Sequence, residues 1–341
     1  MSMNDQHDRS AGTGFPTTRR DFLRSAASAT AVATGLLGSR LFADPPLAAL
    51  TSATSKPFTR PRVLRVTSEH LFSWRTVQPS VLMKAVNVGL CGVTGTADPR
   101  DAWHGLLKPD DVILLKFNQS AATKLGTSPA LATELVRSLM FAGWSPSKIM
   151  LLEVPEKLSL AHPTLPPDLR WQGTQTNFGQ SGSDVFLAAL DQSTAIINVP
   201  FLKTHHLATM TCCLKNLSHG LIRHPARFHG TGCDPAIGEI VASEPIRARL
   251  RLNIVNSIRT VFDRGPDATE GQIHEVGSLL FGVDPVACDA VGFGILNAAR
   301  SLRGIGPLLP GAQIPAHQVT AADKGVGVWD LDSIDVVSAT L

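Results

Sequence analysis

The chain has 341 residues, of which 43% are hydrophobic and 17% charged, and its formal net charge is +3. This length and apolar content suffice for one large or two modest domains with a packed core. The first 43 residues hold five Arg and three Asp, so the rest of the chain carries only +1, which gives no strong electrostatic reason to bind nucleic acid or an anionic membrane.

The N-terminal residues have the pattern of a twin-arginine (Tat) export signal. The run 17–24 joins the pair Arg19-Arg20 to the apolar doublet Phe22-Leu23. A mildly apolar segment follows at 26–38, and it is too short for a permanent membrane span. The alternative is an ordinary amphipathic helix that contains two arginines. We predict a signal peptide at residues 1–43, the Tat translocase as a transient partner, and a location in the periplasm or outside the cell.

For the remaining chain, the sequence pattern predicts a short linker followed by one α/β domain. Residues 44–60 are rich in Pro, Ala, Ser and Thr without apolar periodicity, as in a linker, and order is expected from Pro61 to the end at 341. Apolar runs then alternate with helical patterns. Strands are predicted at 111–117, 148–154, 195–199, 250–255 and 276–283, with helices at 128–142, 184–191 and 285–300. This alternation predicts a mainly parallel sheet with helices on both faces, in Rossmann-like layering.

Cysteine spacing gives no metal framework. The five cysteines include no C-x-x-C pair, so neither an iron–sulfur cluster nor a standard cysteine zinc site is predicted. We interpret them as small buried apolar side chains, although an exported protein would permit disulfides. Nucleotide-binding glycine fingerprints and a G-x-S-x-G elbow are also lacking in the sequence.

Polar residues follow the predicted strands at their carboxyl ends, where open parallel sheets bind ligands. Lys116 and Asn118 close one strand, Glu153 the next, Asn198 a third and Asp284 a fourth. If all these strands are parallel, the polar residues meet at one edge. Asp284-Pro285 also has the chemistry of a helix start, which is the interpretation that we favour for this pair.

The segment 198–229 is rich in histidine and cationic residues. Its candidate residues are Lys203, His205, His206, Thr211, Lys215, Asn216, His219, Arg223, His224, Arg227 and His229. Lys and Arg beside His suit a carboxylate or phosphate, which predicts an anion site; the alternative is a solvated basic loop. We assign proton transfer to His205, His229 and Lys203. Lys116, Asn118, Asn198, Thr211, Lys215, Asn216 and Arg227 are expected to bind the ligand, together with Asp284 and with Asp289, which would pair with a cation.

A divalent metal is the weaker alternative for this segment. Its ligands would be His205, His206 and His229, with His219 as an alternative to His229, since neutral imidazoles are frequent metal ligands. The neighbouring cations oppose this arrangement, and neither H-E-x-x-H nor a histidine pair at i, i+4 is present here. We therefore predict no protein-ligated metal as the first interpretation and leave the cofactor unspecified.

Several motifs together resemble a known family. They are Lys116-Phe117-Asn118, Thr127 before Pro129, the run 196–205, Met210-Thr211 with 214–217, and the run 284–290. The order of these motifs over about residues 60–300, strongest over 110–300, resembles DUF362, a domain of unknown function. The resemblance implies an α/β fold, and its members are often exported by the Tat route or fused to ferredoxin-like cysteine clusters. Where the family typically has Asp-Gly, this chain has Asn256-Ser257, which removes a carboxylate.

Three functions follow from these observations. The first is an exported α/β protein that binds a small anionic molecule and acts on it. The second is a metal- or cofactor-dependent redox enzyme that is loaded before Tat export. The third is a non-catalytic accessory factor of the cell envelope.

Overall fold

A computed structural model of the chain describes residues 58–154, 171–311 and 313–341. All of these residues belong to one compact structural unit, Asp44–Leu341. The predicted signal peptide at 1–43 and most of the predicted linker lie outside the described residues.

The described residues form a nine-stranded sheet and two small two-stranded sheets. The strands are β1 (Arg62–Thr67), β2 (Phe72–Ser73), β3 (Thr76–Val77), β4 (Ile113–Lys116), β5 (Ile149–Leu152), β6 (Gln175–Asn177), β7 (Ser183–Val185), β8 (Ala195–Asn198), β9 (Phe201–His205), β10 (Thr209–Thr211), β11 (Leu250–Val261), β12 (Ile273–Gly282) and β13 (Asp335–Thr340). The large sheet has the order β13-β1-β12-β11-β8-β4-β5, with β9 beside β11 and β10 beside β9.

Most strands of the large sheet run in one direction. The pairs β13–β1, β11–β8, β8–β4, β4–β5 and β11–β9 are parallel. Only β12 and β10 are antiparallel to their neighbours in this sheet. The chain is therefore an α/β protein with a mixed, mostly parallel sheet, as the sequence predicted. Of the residues that the structure describes, 41% are helical and 25% lie in strands.

Ten α-helices lie among the described residues. They are α1 (Pro79–Thr94), α2 (Pro99–Leu106), α3 (Ala122–Leu125), α4 (Ser128–Phe141), α5 (Ala188–Gln192), α6 (Cys213–His219), α7 (Ala236–Ala242), α8 (Glu244–Arg247), α9 (Pro285–Ser301) and α10 (Ala316–Asp323). Among these residues no single helix is long and apolar enough to cross a membrane. Of these helices, only the pair α1 and α2, which is bent by 53°, has the length and apolar composition of a membrane span when the two helices are taken together.

The sheet is covered on both faces because side chains alternate along each buried strand. Ile113 and Leu115 pack in one apolar cluster with residues of α1, α2 and α4, whereas Leu114 packs in another with residues of α5 to α10. On β8, Ile197 packs in the first of these clusters and Ile196 in the second. Burial on both faces explains why these strands read as continuous apolar runs.

Local signals place several helix ends. Pro285 is in the first turn of α9, and Oδ1 of Asp284 accepts hydrogen bonds from the Val286 and Ala287 amides, as predicted. Gly143 lies two residues after the end of α4 and has φ 108°, a conformation that favours glycine, so this glycine is the signal that ends the helix. Ser128 is the first helical residue of α4, and no side chain caps this helix.

Two sequence expectations for this fold are wrong. Residues 184–191 were expected to form a helix, but the segment holds the end of β7 and the beginning of the short helix α5. The strand predicted at 276–283 is β12, and it pairs antiparallel with both β1 and β11. The carboxyl end of β12 therefore does not join the carboxyl ends of β4, β5 and β8. All five cysteines are buried and free, as expected from their interpretation as small apolar side chains.

Candidate functional site

Polar residues of three neighbouring strands meet at the carboxyl edge of the sheet. The parallel registers place Lys116 of β4 beside Asn198 of β8 and beside Leu152, the last residue of β5. Glu153 follows Leu152 directly. Convergence of these strand ends is therefore confirmed for β4, β5 and β8.

Lys116 is the centre of a buried hydrogen-bond network. Its ammonium Nζ donates to Oε2 of Glu153 at 3.0 Å, to Oδ1 of Asn216 at 3.0 Å and to the carbonyl of Phe117 at 2.5 Å. The side chain has no exposed surface. Glu153 also accepts from the backbone amide of Gln119. The charge of Lys116 is thus already compensated by a carboxylate.

A chain of amide side chains extends this network across the sheet. Nδ2 of Asn216 donates to Oδ1 of Asn198 at 2.7 Å, and Nδ2 of Asn198 donates to Oδ1 of Asn253 at 2.9 Å. Nδ2 of Asn118 donates to Oδ1 of Asn216 at 3.2 Å. The paired amides of Asn198, Asn216 and Asn253 hold helix α6 in place on the strand ends, whereas Oδ1 of Asn118 is buried without a hydrogen-bond partner among the described residues. Gly220, the residue after α6, lies so close to Lys116 that a Cβ would collide with Nζ.

Strand β9 carries a further buried lysine, Lys203, past the carboxyl end of β8. Strand β11 pairs first with β8 and further along with β9, so Lys203 and His205 lie past the end of β8. Lys203 is 1% exposed, and its Nζ donates to the carbonyl of Ser120 at 2.7 Å. Thr211 of β10 pairs with Lys203 in the hairpin.

Burial lowers the pKa of Lys203 to about 7. The charges of Lys215 and Lys116 lower this pKa further, whereas Asp267 and Glu153 oppose the shift. The mutual influence places Lys203, Lys215 and Lys116 in one electrostatic environment. Burial also lowers the pKa of Lys215 to about 8.

Lys215 lies among histidines. Its Nζ is 3.4 Å from Nε2 of His229, and the ring of His229 stacks on that of His205 at a centroid distance of 5.4 Å. His205 stacks in turn on His206 at 5.1 Å, and His219 meets His229 edge-on at 5.3 Å. The structure therefore brings four of the five histidines of the predicted segment into contact.

Hydrogen bonds fix which ring nitrogens of two histidines carry a proton. Nδ1 of His205 accepts from the backbone amides of Leu207 and Ala208, each at 3.2 Å, so the proton of the neutral ring is on Nε2. Nδ1 of His229 lies 3.3 Å from the carbonyl of Ala226 and must be the donor, which leaves a lone pair on Nε2. His205 can therefore donate to a ligand, whereas His229 can accept a proton from one.

Burial favours the neutral form of three of these histidines, His205, His219 and His229. Burial lowers the pKa of His205 to about 3 and that of His219 to about 2, and the positive charge of Lys215 contributes to both shifts. Burial and Lys215 also lower the pKa of His229. Neutral imidazoles can donate or accept hydrogen bonds without adding positive charge to the site.

The thiol of Cys233 lies beside two of these histidines, His219 and His229. The ligand atoms of His219, His229 and Cys233 all lie within 4.8 Å of one another. Cys233 is fully buried and has φ 66°, a left-handed conformation that costs a non-glycine residue about 1–2 kcal/mol. It follows the 3-10 helix Pro225–Thr231, which carries His229. The expected metal set of His205, His206 and His229 is not the one that the fold assembles, because those rings are stacked nearly parallel.

Besides Lys116, Asn198 and Asn216, whose polar groups are engaged in the network above, three more predicted ligand-binding residues contact other parts of the protein. Arg227 contacts Asp184 at 3.6 Å and donates to the carbonyl of Ser183, away from the lysines. Asp284 caps α9 and accepts from the amide of Val328. Asp289 was expected to pair with a cation, but its carboxylate accepts from the amides of Cys213 and Leu214 at the start of α6.

Some site residues were missed from the sequence. Cys233 was not assigned a role, although it lies close to the predicted segment, and His219, within that segment, was considered only as an alternative metal ligand. His317, on α10, is 2% exposed, and burial together with the charge of Lys215 lowers its pKa to about 3. No local signal identifies His317, since it is far along the chain and only the packing of α10 brings it near Lys215.

Comparison with known proteins bears on part of the chain. A search of curated proteins finds no match. The segment 174–294 covers the strands and helices from β6 to the middle of α9, including Lys203, Lys215, the histidine cluster and Cys233. Lys116 and Asn118 precede it. This match is narrower than the resemblance over 60–300. Residues 174–294 of the chain match the family described as Domain of unknown function (DUF362).

Proposed function

We propose that this protein binds a small anionic molecule at the carboxyl edge of its sheet, between Lys203, Lys215 and the histidines, and acts on it by proton transfer. The proposal includes export by the Tat route, on the sequence pattern of residues 1–43 alone.

The observation that carries the proposal is a pair of buried lysines; Asp267 and Glu153 offset the charge of Lys203 only in part. Lys203 and Lys215 are 1% and 6% exposed. Among the residues that the structure describes, neither forms an ion pair, in contrast to Lys116 with Glu153. Burial of a charge without a counterion is costly, and a bound carboxylate or phosphate would offset that cost.

The neighbouring neutral groups suit the same ligand. The Nε2–H of His205 can donate to an oxyanion, as can the hydroxyl of Thr211 on the neighbouring strand β10. His229 keeps a lone pair on Nε2 and is the better proton acceptor of the two histidines. The proton-transfer role assigned to His205 therefore becomes that of a donor, while His229 retains the role of base.

The test is ligand-dependent thermal stability at constant ionic strength. Phosphate, sulfate and small mono- and dicarboxylates are added to the wild-type protein and to the variants Lys203→Met and Lys215→Met. An anion at 100 times its Kd should stabilise the wild type by about 2.7 kcal/mol and either variant much less. Lys84→Met, which removes an exposed charge on α1, is the control and should respond as the wild type does.

Equal stabilisation of the wild type and both site variants would overturn the anion site. No stabilisation by any of these anions, together with stable co-purification of another envelope protein, would favour the accessory factor instead. Export is tested separately by a reporter that follows residues 1–43. Replacement of Arg19 and Arg20 by Lys should keep the reporter in the cytoplasm, and unchanged export would contradict the Tat assignment.

A further inference from the structure

A compact donor cluster forms where α6 ends and the chain returns past the 3-10 helix Pro225–Thr231. His219 is the last residue of α6, His229 lies in the 3-10 helix, and Cys233 follows two residues after it. Their ligand atoms lie within 4.8 Å of one another. Around one tetrahedral ion, nitrogen and sulfur ligands are about 3.3–3.8 Å apart. Small rotations of these three side chains are therefore enough to bring all three ligand atoms onto one ion.

The two imidazoles are held as metal ligands usually are. Nδ1 of His229 donates to the carbonyl of Ala226 at 3.3 Å, and Nδ1 of His219 lies 3.1 Å from the hydroxyl of Ser218. Metal-binding histidines generally have their second nitrogen fixed by such an oxygen, which orients the ring. Nε2 of His219 is buried and has no hydrogen-bond partner among the described residues. That orphaned nitrogen points to a ligand.

We propose that His219, His229 and Cys233 bind a divalent transition-metal ion, with zinc as the best match to the donor set. Two imidazole nitrogens and one thiolate are typical zinc ligands, and three protein ligands leave a fourth position open for water or another small ligand. Cys233 binds as the thiolate, so that metal binding releases one proton from its Sγ. The site goes beyond the anion proposal, because it requires neither Lys203 nor a bound anion. Metal binding uses the same Nε2 lone pair as the base role proposed for His229, so His229 cannot serve as the base while the metal is bound.

Lys215 is the competing cation at this cluster. Its Nζ lies 3.4 Å from Nε2 of His229, the lone pair that the metal needs. The ammonium group must therefore turn away when the metal binds. A Lys215→Met variant should bind the metal at least as tightly as the wild type, whereas the same change weakens anion binding. The two proposals can thus fail independently.

A second cluster, Cys212, Cys213 and Asp289, does not have these properties. Both carboxylate oxygens of Asp289 already accept backbone amides, at 2.6 and 3.2 Å. All three residues are fully buried, and Cys212 and Cys213 form part of an apolar cluster with Cys288. This group is therefore best explained by packing and by the start of α6.

The test is a Co²⁺ titration of the purified, chelator-treated protein, without added anion, followed by absorption spectroscopy. The wild type should show a thiolate-to-Co²⁺ charge-transfer band and tetrahedral d–d bands, saturating at one ion per chain, and Zn²⁺ should displace both. Cys233→Ala should lose the charge-transfer band. Cys91→Ala, which removes a buried thiol on α1, should retain it.

A second variant keeps the test decisive if Cys233→Ala does not fold. His229→Gln changes a half-buried residue and should weaken Co²⁺ binding on the order of 100-fold while circular dichroism remains that of the wild type. In the wild type, bound Zn²⁺ should also protect Cys233 from alkylation, as measured by mass spectrometry. No charge-transfer band in the wild type, or a band that survives in Cys233→Ala, would overturn the metal site.

Discussion

Nζ of Lys116 lies 3.0 Å from Oε2 of Glu153, although the two residues are 37 positions apart in the sequence. The lysine has no exposed side-chain surface, and the glutamate side chain is 16% exposed. The ion pair joins the ends of two parallel strands and anchors the asparagine network below α6. It also explains why Lys116 differs from Lys203 and Lys215, which lack a carboxylate partner among the described residues.

Removal of this lysine should destabilise the fold. Lys116→Met removes the ammonium donor of Glu153 and of Asn216 Oδ1 and leaves the Glu153 carboxylate without a countercharge, and loss of one partner of a buried pair costs about 3 kcal/mol. Urea unfolding measures the loss. The control Lys148→Met breaks an exposed pair with Asp110 at 3.6 Å and should cost less than about 1 kcal/mol. Similar losses in both variants would contradict a structural role for the buried pair.

Lys203 should make the stability pH-dependent. Its pKa is lowered by burial to about 7 in the folded state, against about 10.4 in an unfolded chain, so between these values the unfolded state binds more protons. The contribution of Lys203 to the free energy of unfolding therefore rises with pH above about 7, by up to roughly 1.4 kcal/mol per unit. Below pH 7 both states are protonated and this contribution is constant.

The measurement compares wild-type and Lys203→Met unfolding between pH 6 and pH 9. Lys215, whose pKa is lowered by burial to about 8, also titrates in this range, so the informative quantity is the difference between the two proteins. We expect the advantage of the Met variant to shrink as pH rises. A difference that stays constant over this range would show that Lys203 is protonated throughout it.

The contribution of Asp289 to the free energy of unfolding should change with pH in the opposite direction to that of Lys203. Burial raises its pKa to about 7, although the amides of Cys213 and Leu214 stabilise the carboxylate. Between about pH 4 and pH 7 the folded state then binds more protons than the unfolded state, so its contribution to stability falls as pH rises. Asp289→Asn cannot ionise and should gain in stability relative to the wild type over this window. A gap that narrows with rising pH would refute the raised pKa.

Gly220 should tolerate no side chain. Its backbone has φ −82°, which any residue adopts, so the penalty for Gly220→Ala comes from the collision of Cβ with Lys116 Nζ and from its 2.7 Å approach to the carbonyl of Asn216. Overpacking of this kind costs about 1–3 kcal/mol. The control is Gly294→Ala on α9, where a Cβ meets nothing within 4 Å and where alanine should stabilise the helix. Thermal unfolding of both variants gives the comparison, and equal stabilities would argue against a tightly packed Lys116.

The amino-acid sequence by itself determined the features that depend on local pattern. Apolar runs located β4, β5, β8 and β12, Asp284-Pro285 set the start of α9, and Gly143 ended α4. The polar residues after parallel strands, such as Lys116 and Asn198, were correctly expected to meet, because parallel strands share a carboxyl edge. The export signal at 1–43 remains a prediction from sequence.

Tertiary structure alone decided which side chains complete the site. The direction of β12 depends on its pairing with β1 and β11 and is not encoded in its own apolar pattern, so Asp284 was misplaced. Arg227 joins Asp184 instead of the lysines, while His317 and Cys233 enter the neighbourhood of Lys215. These outcomes rest on contacts between distant segments, and residue type reveals the chemistry that a side chain can perform but not the neighbours with which it performs it.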